Sequence, residues 1–233
     1  GDTMLVNPNI YRKNDIDNNL VNAGFRPLDL MVTGVTGAGK SSTLNTLFKK
    51  IIAKVGDGVD PETMELNSYS LNDSFRLWDT PGLGDGIAID KIHKKKIIDL
   101  LYKTYSIDEN IYGFIDMVLV IIEGSNRDMG TTYQLLNEVV IPNIQSDRIL
   151  VAINQADFAM KGRHWVQEKN VPDSELIAFL NNQADSIQKR VKEATGIKII
   201  KPIYYSAKFN YNIDKLLDLI INNMPSNPRK LMS

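Results

Sequence analysis

The stretch "GVTGAGKSS", residues 34–42, follows an apolar run and decides the fold. It matches the pattern G-x-x-x-x-G-K-[ST] at Gly34, Gly39, Lys40 and Ser41. Glycines permit the tight curl that points successive backbone N–H groups at phosphate oxygens, and a following helix adds its positive end. The apolar run before the motif and the helical pattern after it are the context that this motif requires. We therefore predict a phosphate-binding loop and not an ordinary glycine-rich turn.

Short apolar runs alternate with helical patterns along the whole chain. Six runs predict strands, at 28–34, 64–71, 75–79, 115–122, 148–153 and 198–205. Five patterns predict helices, at 40–54, 89–105, 130–140, 173–196 and 213–220. The alternation predicts an α/β fold with a single doubly wound, mostly parallel sheet and helices on both faces. We expect a polar lead-in at 1–27, one main domain at 28–224 and a tail at 225–233.

Composition excludes several classes of function. The chain has 233 residues with 27 basic and 28 acidic side chains, a formal net charge of −1, which argues against bulk electrostatic binding of nucleic acid. The chain has no cysteine, so it has neither a disulfide framework nor thiolate chemistry. No apolar run approaches the length that spans a bilayer, and the first residues lack a signal-peptide pattern. We expect a cytoplasmic protein without a membrane span.

Each residue of the phosphate loop has a predicted role. Lys40 would neutralise the β- and γ-phosphates, and the Ser41 hydroxyl would ligate Mg²⁺. The residues predicted to contact phosphate are Gly34, Val35, Thr36, Gly37, Ala38, Gly39, Lys40, Ser41 and Ser42. A second motif, "WDTPG", places Asp79 at the end of a strand, where its carboxylate can hold Mg²⁺ through water. The Gly82 N–H in the same motif can bond the γ-phosphate and so sense its loss.

Two later motifs select the base. "NQAD" places Asn154 and Asp157 just after a strand, and a carboxylate at Asp157 can accept from both the N1–H and the N2 amino group of guanine. Adenine offers neither donor there, so its binding would leave the carboxylate desolvated and unpaired. "SAK" follows the last strand, where the Ala207 N–H can reach guanine O6. The predicted base site is Asn154, Gln155, Asp157, Ser206, Ala207 and Lys208.

These motifs occur in one order, each at the carboxyl end of a strand, and together they resemble those of the small P-loop GTPases of the translation-factor class. The resemblance is nearest to the bacterial Era-like, ribosome-binding-type GTPases, and it covers about residues 28–224. It implies a Ras-like G domain that binds GTP and GDP, hydrolyses GTP with Mg²⁺ and carries two switch segments. By family analogy alone it also implies association with the ribosome or RNA.

The resemblance also implies a switch threonine whose hydroxyl meets Mg²⁺. Thr63 is the only threonine between Thr46 and Thr80, so Thr63 is assigned that role. The implied catalytic residues are then Lys40, Thr63 and Gly82, and the implied metal ligands are Ser41, Thr63 and Asp79.

The sequence departs from the family pattern at two positions. Gln155 replaces the lysine of Asn-Lys-x-Asp, so we expect weaker nucleotide affinity with selectivity preserved by Asp157. Leu83 stands where Ras-like members carry a water-orienting glutamine. A leucine cannot hold a water, so another group must do so. Thr36 and Asp85 are the local candidates, and Arg127, here or in a facing subunit, is a third, although a solvated loop charge is the favoured interpretation of Arg127.

Two hypotheses share this pocket. One is a GTPase switch that hydrolyses slowly alone and is stimulated by a partner. The other is a septin-like or immunity-associated-like module in which GTP controls self-association, with a homodimer through the nucleotide face. The extra length at 84–114, together with Leu83, favours surfaces that act in trans and so supports the second hypothesis. Within this segment we interpret His93 as a surface residue on the solvent-facing side of a helix. Trp165, in a polar loop, is either an interface anchor or a cap on the domain core.

Overall fold

The computed structural model describes residues 11–23, 27–48, 67–70, 75–125 and 129–232. The strands within these ranges are β1 (Leu28–Gly34), β2 (Asn67–Ser70), β3 (Phe75–Asp79), β4 (Thr104–Ile107), β5 (Asn110–Gly113), β6 (Met117–Glu123), β7 (Ile149–Asn154), β8 (Trp165–Val166), β9 (Val171–Pro172) and β10 (Ile203–Tyr204). The α-helices are α1 (Lys13–Ala23), α2 (Lys40–Phe48), α3 (Ile87–Leu101), α4 (Met129–Gln134), α5 (Ser174–Thr195) and α6 (Ile213–Asn222). Helix α4 continues directly into a π-helical turn at Leu135–Val140.

One sheet of six strands organises the molecule, in the order β10-β7-β6-β1-β3-β2. Five of the strands are parallel, and β2 runs antiparallel to β3 at the edge. Strands β1 and β7 are buried along their whole length and β6 along nearly all of it, as expected where helices cover both faces of a parallel sheet. The predicted fold class is confirmed, and β2 falls within the predicted edge strand at 64–71.

Alternate residues of the central strands supply two separate cores. Met31 of β1 packs with α3, α5 and the 135–141 turn on one face of the sheet. Its neighbours Leu30 and Val32 pack with α1, α2 and α6 on the other face. This alternation follows from the two-residue period of a strand. Because β1, β3, β7 and β10 run parallel, the loops that follow them emerge at the same end of the sheet.

The boundaries of several elements differ from the prediction. Helix α3 ends at Leu101, because the next residues form the hairpin β4–β5, whose turn residues Asp108 and Glu109 have φ of 49° and 72°. The strand predicted at 198–205 is reduced to two residues, since Pro202 lacks the N–H that a ladder needs. Helix α5 begins and ends as predicted: the Asp173 side chain accepts from Leu176 N, and Gly196 closes the helix at φ 74°.

The segment after α6 packs against the domain through a buried arginine. Arg229 is fully buried and donates to the backbone oxygens of Leu101 and Ile115, at 2.5 and 2.6 Å. The Gly113 N–H donates in return to the Arg229 carbonyl at 2.7 Å. Burial, and then repulsion from Arg148, lower the pKa of Arg229 to about 10, so the guanidinium stays charged at neutral pH. The domain division at residue 224 stays a prediction, and these contacts attach the following residues to the end of α3.

Replacing Arg229 should destabilise the fold. Arg229→Met keeps much of the apolar stem but leaves the Leu101 and Ile115 carbonyls buried without a donor, so we expect the free energy of unfolding to fall by about 2–3 kcal/mol. Urea unfolding of both proteins measures the difference. Lys230→Ala, at an exposed neighbouring position, is the matched control and should unfold like the parent. An unchanged midpoint in Arg229→Met would show that the guanidinium does not hold this segment.

Candidate functional site

The phosphate loop, Gly34–Ser42, curls between the end of β1 and the start of α2. Gly37 and Gly39 have φ of 86° and 79°, which a residue with a side chain rarely adopts. Gly34 is constrained by space instead, since a Cβ there would lie 2.3 Å from the Ile121 carbonyl oxygen. The Ala38 N–H closes the curl by donating to the Val35 oxygen at 3.0 Å. The glycine pattern quoted from the sequence is thus explained by backbone conformation and close approach.

Asn154, at the end of β7, joins the phosphate loop to the loop that follows β10. Its amide nitrogen donates to the Ala38 oxygen at 2.9 Å and lies 3.3 Å from the Gly39 oxygen. Its amide oxygen accepts from the Ala207 N–H at 3.1 Å. The side chain is 2% exposed, so these bonds form away from water. A Cβ at Gly39 would lie 2.4 Å from the Asn154 amide nitrogen, which explains why a glycine stands there.

The base turn, Ser206–Tyr211, carries the "SAK" motif. The Ser206 hydroxyl donates to the Asp157 carboxylate at 2.7 Å and accepts from the Phe209 N–H at 3.2 Å. Asp157 and Ser206 are therefore brought together as the sequence predicted. The Ala207 N–H is bonded to Asn154 and does not stand free, so a contact to guanine O6 requires that donor to be shared.

Gln155 keeps a contact that its size alone did not lead us to expect. The residue adopts a left-handed conformation, with φ 60°, and its amide nitrogen donates to the Gly37 oxygen at 3.0 Å. The uncharged side chain is thus long enough to reach the phosphate loop. The expected loss of nucleotide affinity stays a prediction, and loss of this bond is not its cause.

A cation and a carboxylate meet beside the phosphate loop. The Lys40 ammonium lies 2.5 Å from an Asp79 oxygen and also donates to the Thr80 carbonyl. Asp79 ends β3, which pairs in parallel with β1 two residues before the loop begins, and Ser41 lies exposed in the first turn of α2. A hydroxyl and a carboxylate are the hard oxygen donors that Mg²⁺ takes, so this donor set suits the ion. Thr63, the third implied ligand, lies outside the described residues.

The switch segment, Gly82–Asp85, is joined to the phosphate loop by backbone hydrogen bonds. The Leu83 N–H donates to the Gly34 oxygen at 3.0 Å, and the Thr36 N–H donates to the Leu83 oxygen at 2.7 Å. The Leu83 side chain is fully buried in the core beneath α3. Leu83 therefore points away from the loop surface, and it cannot orient a water there.

Two residues of α3 that we did not assign to the site hold the switch segment from the other side. The Asp90 carboxylate accepts from the Gly84 and Asp85 N–H groups at 3.0 Å each. A His93 ring nitrogen lies 2.9 Å from the Gly82 oxygen, and the side chain is only 20% exposed. His93 is therefore partly buried and contacts the segment, which the interpretation of His93 as a surface residue did not include. The available signal was its position on the first turns of a helix that directly follows the segment.

The candidates for orienting the attacking water are placed only in part. Thr36 is exposed, and its side chain lies beside Gly84. Asp85 is also exposed. One oxygen of its carboxylate, one of the Asp90 carboxylate and one ring nitrogen of His93 lie within 4.8 Å of one another, and all three are possible metal-ligand atoms. The Asp90 oxygens already accept backbone N–H groups. Arg127 lies outside the described residues.

Among the helices that the structure describes, none combines the length and the apolar character that crossing a membrane requires.

Comparison with known proteins identifies the family. Residues 29–155, more than half of the chain, match the family described as 50S ribosome-binding GTPase. The probable GTP-binding protein EngB of Lactococcus lactis is 24% identical over 143 residues, covering 61% of this chain and 69% of that protein. Septin-12 of Rattus norvegicus is 39% identical over 79 residues, covering only 29% of this chain and 22% of that protein.

A solved structure shows the same fold. The crystal structure of a GTP-binding protein from Sulfolobus solfataricus in complex with GDP aligns with a TM-score of 0.53 and 19% identity. The alignment covers 91% of this chain and 57% of that one. The resemblance found from the motifs is confirmed: this chain belongs to the 50S ribosome-binding GTPase family, a group of P-loop GTPases that bind and hydrolyse GTP.

Proposed function

We propose that the chain binds GTP with Mg²⁺, hydrolyses it to GDP and phosphate, and acts as a nucleotide-dependent switch. The observation that carries the proposal is the Asn154 side chain, which fixes the phosphate loop and the base turn relative to each other. A nucleotide contacts both loops at once, so their separation must match the distance from its base to its phosphates. A buried amide that bonds to both loops sets that distance before the ligand arrives.

Base selectivity is assigned to Asp157. Its carboxylate is oriented by the Ser206 hydroxyl, and the strand end at Asn154 places it beside the base turn. Guanine presents two N–H donors to such a carboxylate, whereas adenine presents none. Gln155 contributes by its bond to the phosphate loop, and Lys208, exposed on the turn, flanks the base.

The phosphates are assigned to the loop and to Lys40. The N–H groups of Val35, Thr36 and Ala38 are bonded to the Ile121, Leu83 and Val35 oxygens, so the other N–H groups of the loop would contact phosphate. The Lys40 ammonium would exchange its present partners, Asp79 and the Thr80 carbonyl, for phosphate oxygens. Ser41, Asp79 and Thr63 are the residues that would hold Mg²⁺. When bound, that ion neutralises charge on the β- and γ-phosphates.

The switch is assigned to Gly82–Asp85. The Gly82 N–H would bond the γ-phosphate, while His93 contacts the Gly82 oxygen and Asp90 accepts from Gly84 and Asp85, which holds the segment to α3. Since the Leu83 side chain is committed to the core, the group that orients the attacking water comes from Thr36, Asp85, Arg127 or a partner. We propose slow hydrolysis by the chain alone, stimulated by a partner.

The partner is proposed from the family alone. Because the matching family is described as ribosome-binding, we propose the ribosome or its RNA as the surface on which the switch acts. The nucleotide-gated homodimer remains the alternative, and light scattering with GDP and then with a non-hydrolysable GTP analogue separates the two. A monomer under both conditions favours the switch, whereas dimerisation with the analogue alone favours the assembly module.

Asp157→Asn should change which base is bound. An amide presents a donor to the guanine N1–H or N2 group, so affinity for GDP should fall by about a hundredfold, while XDP, whose base offers an acceptor there, should gain. Titration with labelled GDP and XDP measures both constants. Asp185→Asn, on the exposed face of α5, should leave both unchanged. Full GDP affinity with no gain for XDP would show that the base site is misplaced.

Ser41→Ala should weaken nucleotide binding only when Mg²⁺ is present. Removing one ligand from the ion should raise the Kd for GTP by about tenfold in Mg²⁺ and leave it unchanged in a chelator. Calorimetric titration under the two conditions gives the ratio. Ser226→Ala, an exposed serine after α6, is the control. Equal losses with and without Mg²⁺ would contradict the metal role.

Hydrolysis by the isolated chain should be slow. Without a water-orienting glutamine, we expect single-turnover rates on the order of 10⁻³ s⁻¹ or less, because positioning supplies most catalysis in phosphoryl transfer. Phosphate release at several protein concentrations tests this. A rate per molecule that climbs with concentration and loses the climb in Arg127→Ala places the missing group in a facing subunit. A fast, flat rate would contradict the proposal and favour Thr36 or Asp85 acting within one chain.

A further inference from the structure

The hairpin β8–β9 covers the outer side of the base turn. The Trp165 ring stacks on Phe209, with centroids 5.7 Å apart and planes at 25°, and it meets Tyr211 edge-on at 5.3 Å and 85°. The Asn170 amide nitrogen donates to the Phe209 carbonyl at 2.8 Å. The hairpin thus contacts the turn through two aromatic pairs and one hydrogen bond, all directed at Phe209 and Tyr211.

The first and last residues of the base turn are hydrogen-bonded to each other. Ser206 and Tyr211 exchange backbone hydrogen bonds of 3.0 Å in both directions, with Asn210 and Asn212 in left-handed conformations beside them. The inner side of this closed turn bonds to Asn154 and Asp157, which are the residues assigned to the base. Ser206 and Ala207 of the turn therefore contact the residues assigned to the base, while Phe209 and Tyr211 contact the hairpin.

The hairpin is itself anchored to a long helix. The Asp173 N–H donates to the His164 carbonyl at 2.8 Å, and the His164 ring nitrogen Nδ1 lies 2.7 Å from the Asp173 carboxylate. The bond from the Leu176 N–H, together with the contact to His164, lowers the pKa of Asp173. Asp173 caps α5, whose apolar face is buried in the core, so these bonds connect the hairpin to the core through α5.

Rigidity of the turn matters because base recognition is short-ranged. Hydrogen bonds weaken steeply with distance and angle, so a turn that drifts loses its contacts to the base. A turn held from outside before the ligand arrives loses less conformational freedom on binding, which raises affinity. An aromatic stack and a backbone-directed amide are the contacts that supply such support here.

We propose that Trp165 and Asn170 are positioning residues, which hold the base turn in its guanine-binding geometry and thereby set guanine affinity and selectivity. The proposal rests on the proposed function, because it requires that Asp157 and the base turn bind guanine. Neither residue contacts the phosphate loop among the contacts of the described chain, so we expect their effect to fall mainly on recognition of the base.

Comparing GDP with ADP tests the proposal, because the two ligands share their phosphates and ribose and differ in the base. The variants are Trp165→Ala, its conservative partner Trp165→Phe, and Asn170→Asp, which tolerates the φ of 53° at this position while losing the donor. Glu168→Ala, exposed at the tip of the same hairpin, is the control. Calorimetry gives the Kd for each nucleotide, and thermal unfolding checks that each variant is folded.

Trp165→Ala and Asn170→Asp should each raise the Kd for GDP by about tenfold and leave the Kd for ADP within about twofold. Trp165→Phe should recover most of the lost affinity. An equal loss for GDP and ADP would overturn the proposal, since it would mean general damage. If Trp165→Ala and Asn170→Asp bound GDP as tightly as the control Glu168→Ala, the proposal would be overturned as well. Equal affinity of the parent chain for GDP and ADP would overturn the proposed function itself. If the parent chain prefers GDP but the variants do not behave as expected, only this inference fails.

Discussion

The side chain of Asn154 is the contact on which the site depends. Its carboxamide donates to the phosphate loop and accepts from the base turn, two loops that leave different strands of one sheet. Only a group that donates and accepts in the same plane can do both, so an aspartate would repel the Ala38 carbonyl and a leucine would leave two backbone groups unpaired. Since Asn154 is buried, either loss would carry the full desolvation penalty.

A buried side chain also fixes the position of backbone groups at Leu83 of the switch segment. Leu83 is fully buried, and its two backbone groups bond to Gly34 and Thr36. Burial of the side chain fixes the orientation of the peptide, and the peptide in turn occupies the Thr36 N–H. Under the proposed switch, a γ-phosphate that drew the segment toward itself would therefore have to compete with these bonds and with those from Asp90 and His93. Leu83 cannot hold a water, but its buried side chain holds the switch segment against the phosphate loop.

The sequence predicted the parts of the site that depend on local chemistry. The strand, loop and helix around residues 34–42 and the closeness of Asp157 to Ser206 were accessible from the motifs, whereas the nucleotide contacts of these residues stay predictions. Contacts between segments far apart in sequence left no periodic signal. The pairing of Trp165 with Phe209 and the burial of Arg229 are of this kind. Hairpin β8–β9 pairs only two residues on each side, which is too short for an alternating pattern.

The phosphate side and the base side are held by different kinds of contact, and this has an energetic consequence. Gly34, Leu83 and Thr36 secure the phosphate loop through backbone groups, whereas Phe209, Trp165 and Asn170 secure the base turn through side chains. Substitutions on the two sides share no partner, so their effects on nucleotide affinity should add. Asn154 touches both sides, and a change there should couple to either. Double-mutant cycles that pair Asn154→Ala with a change on each side measure that coupling, and additivity in every pair would remove Asn154 from its central place.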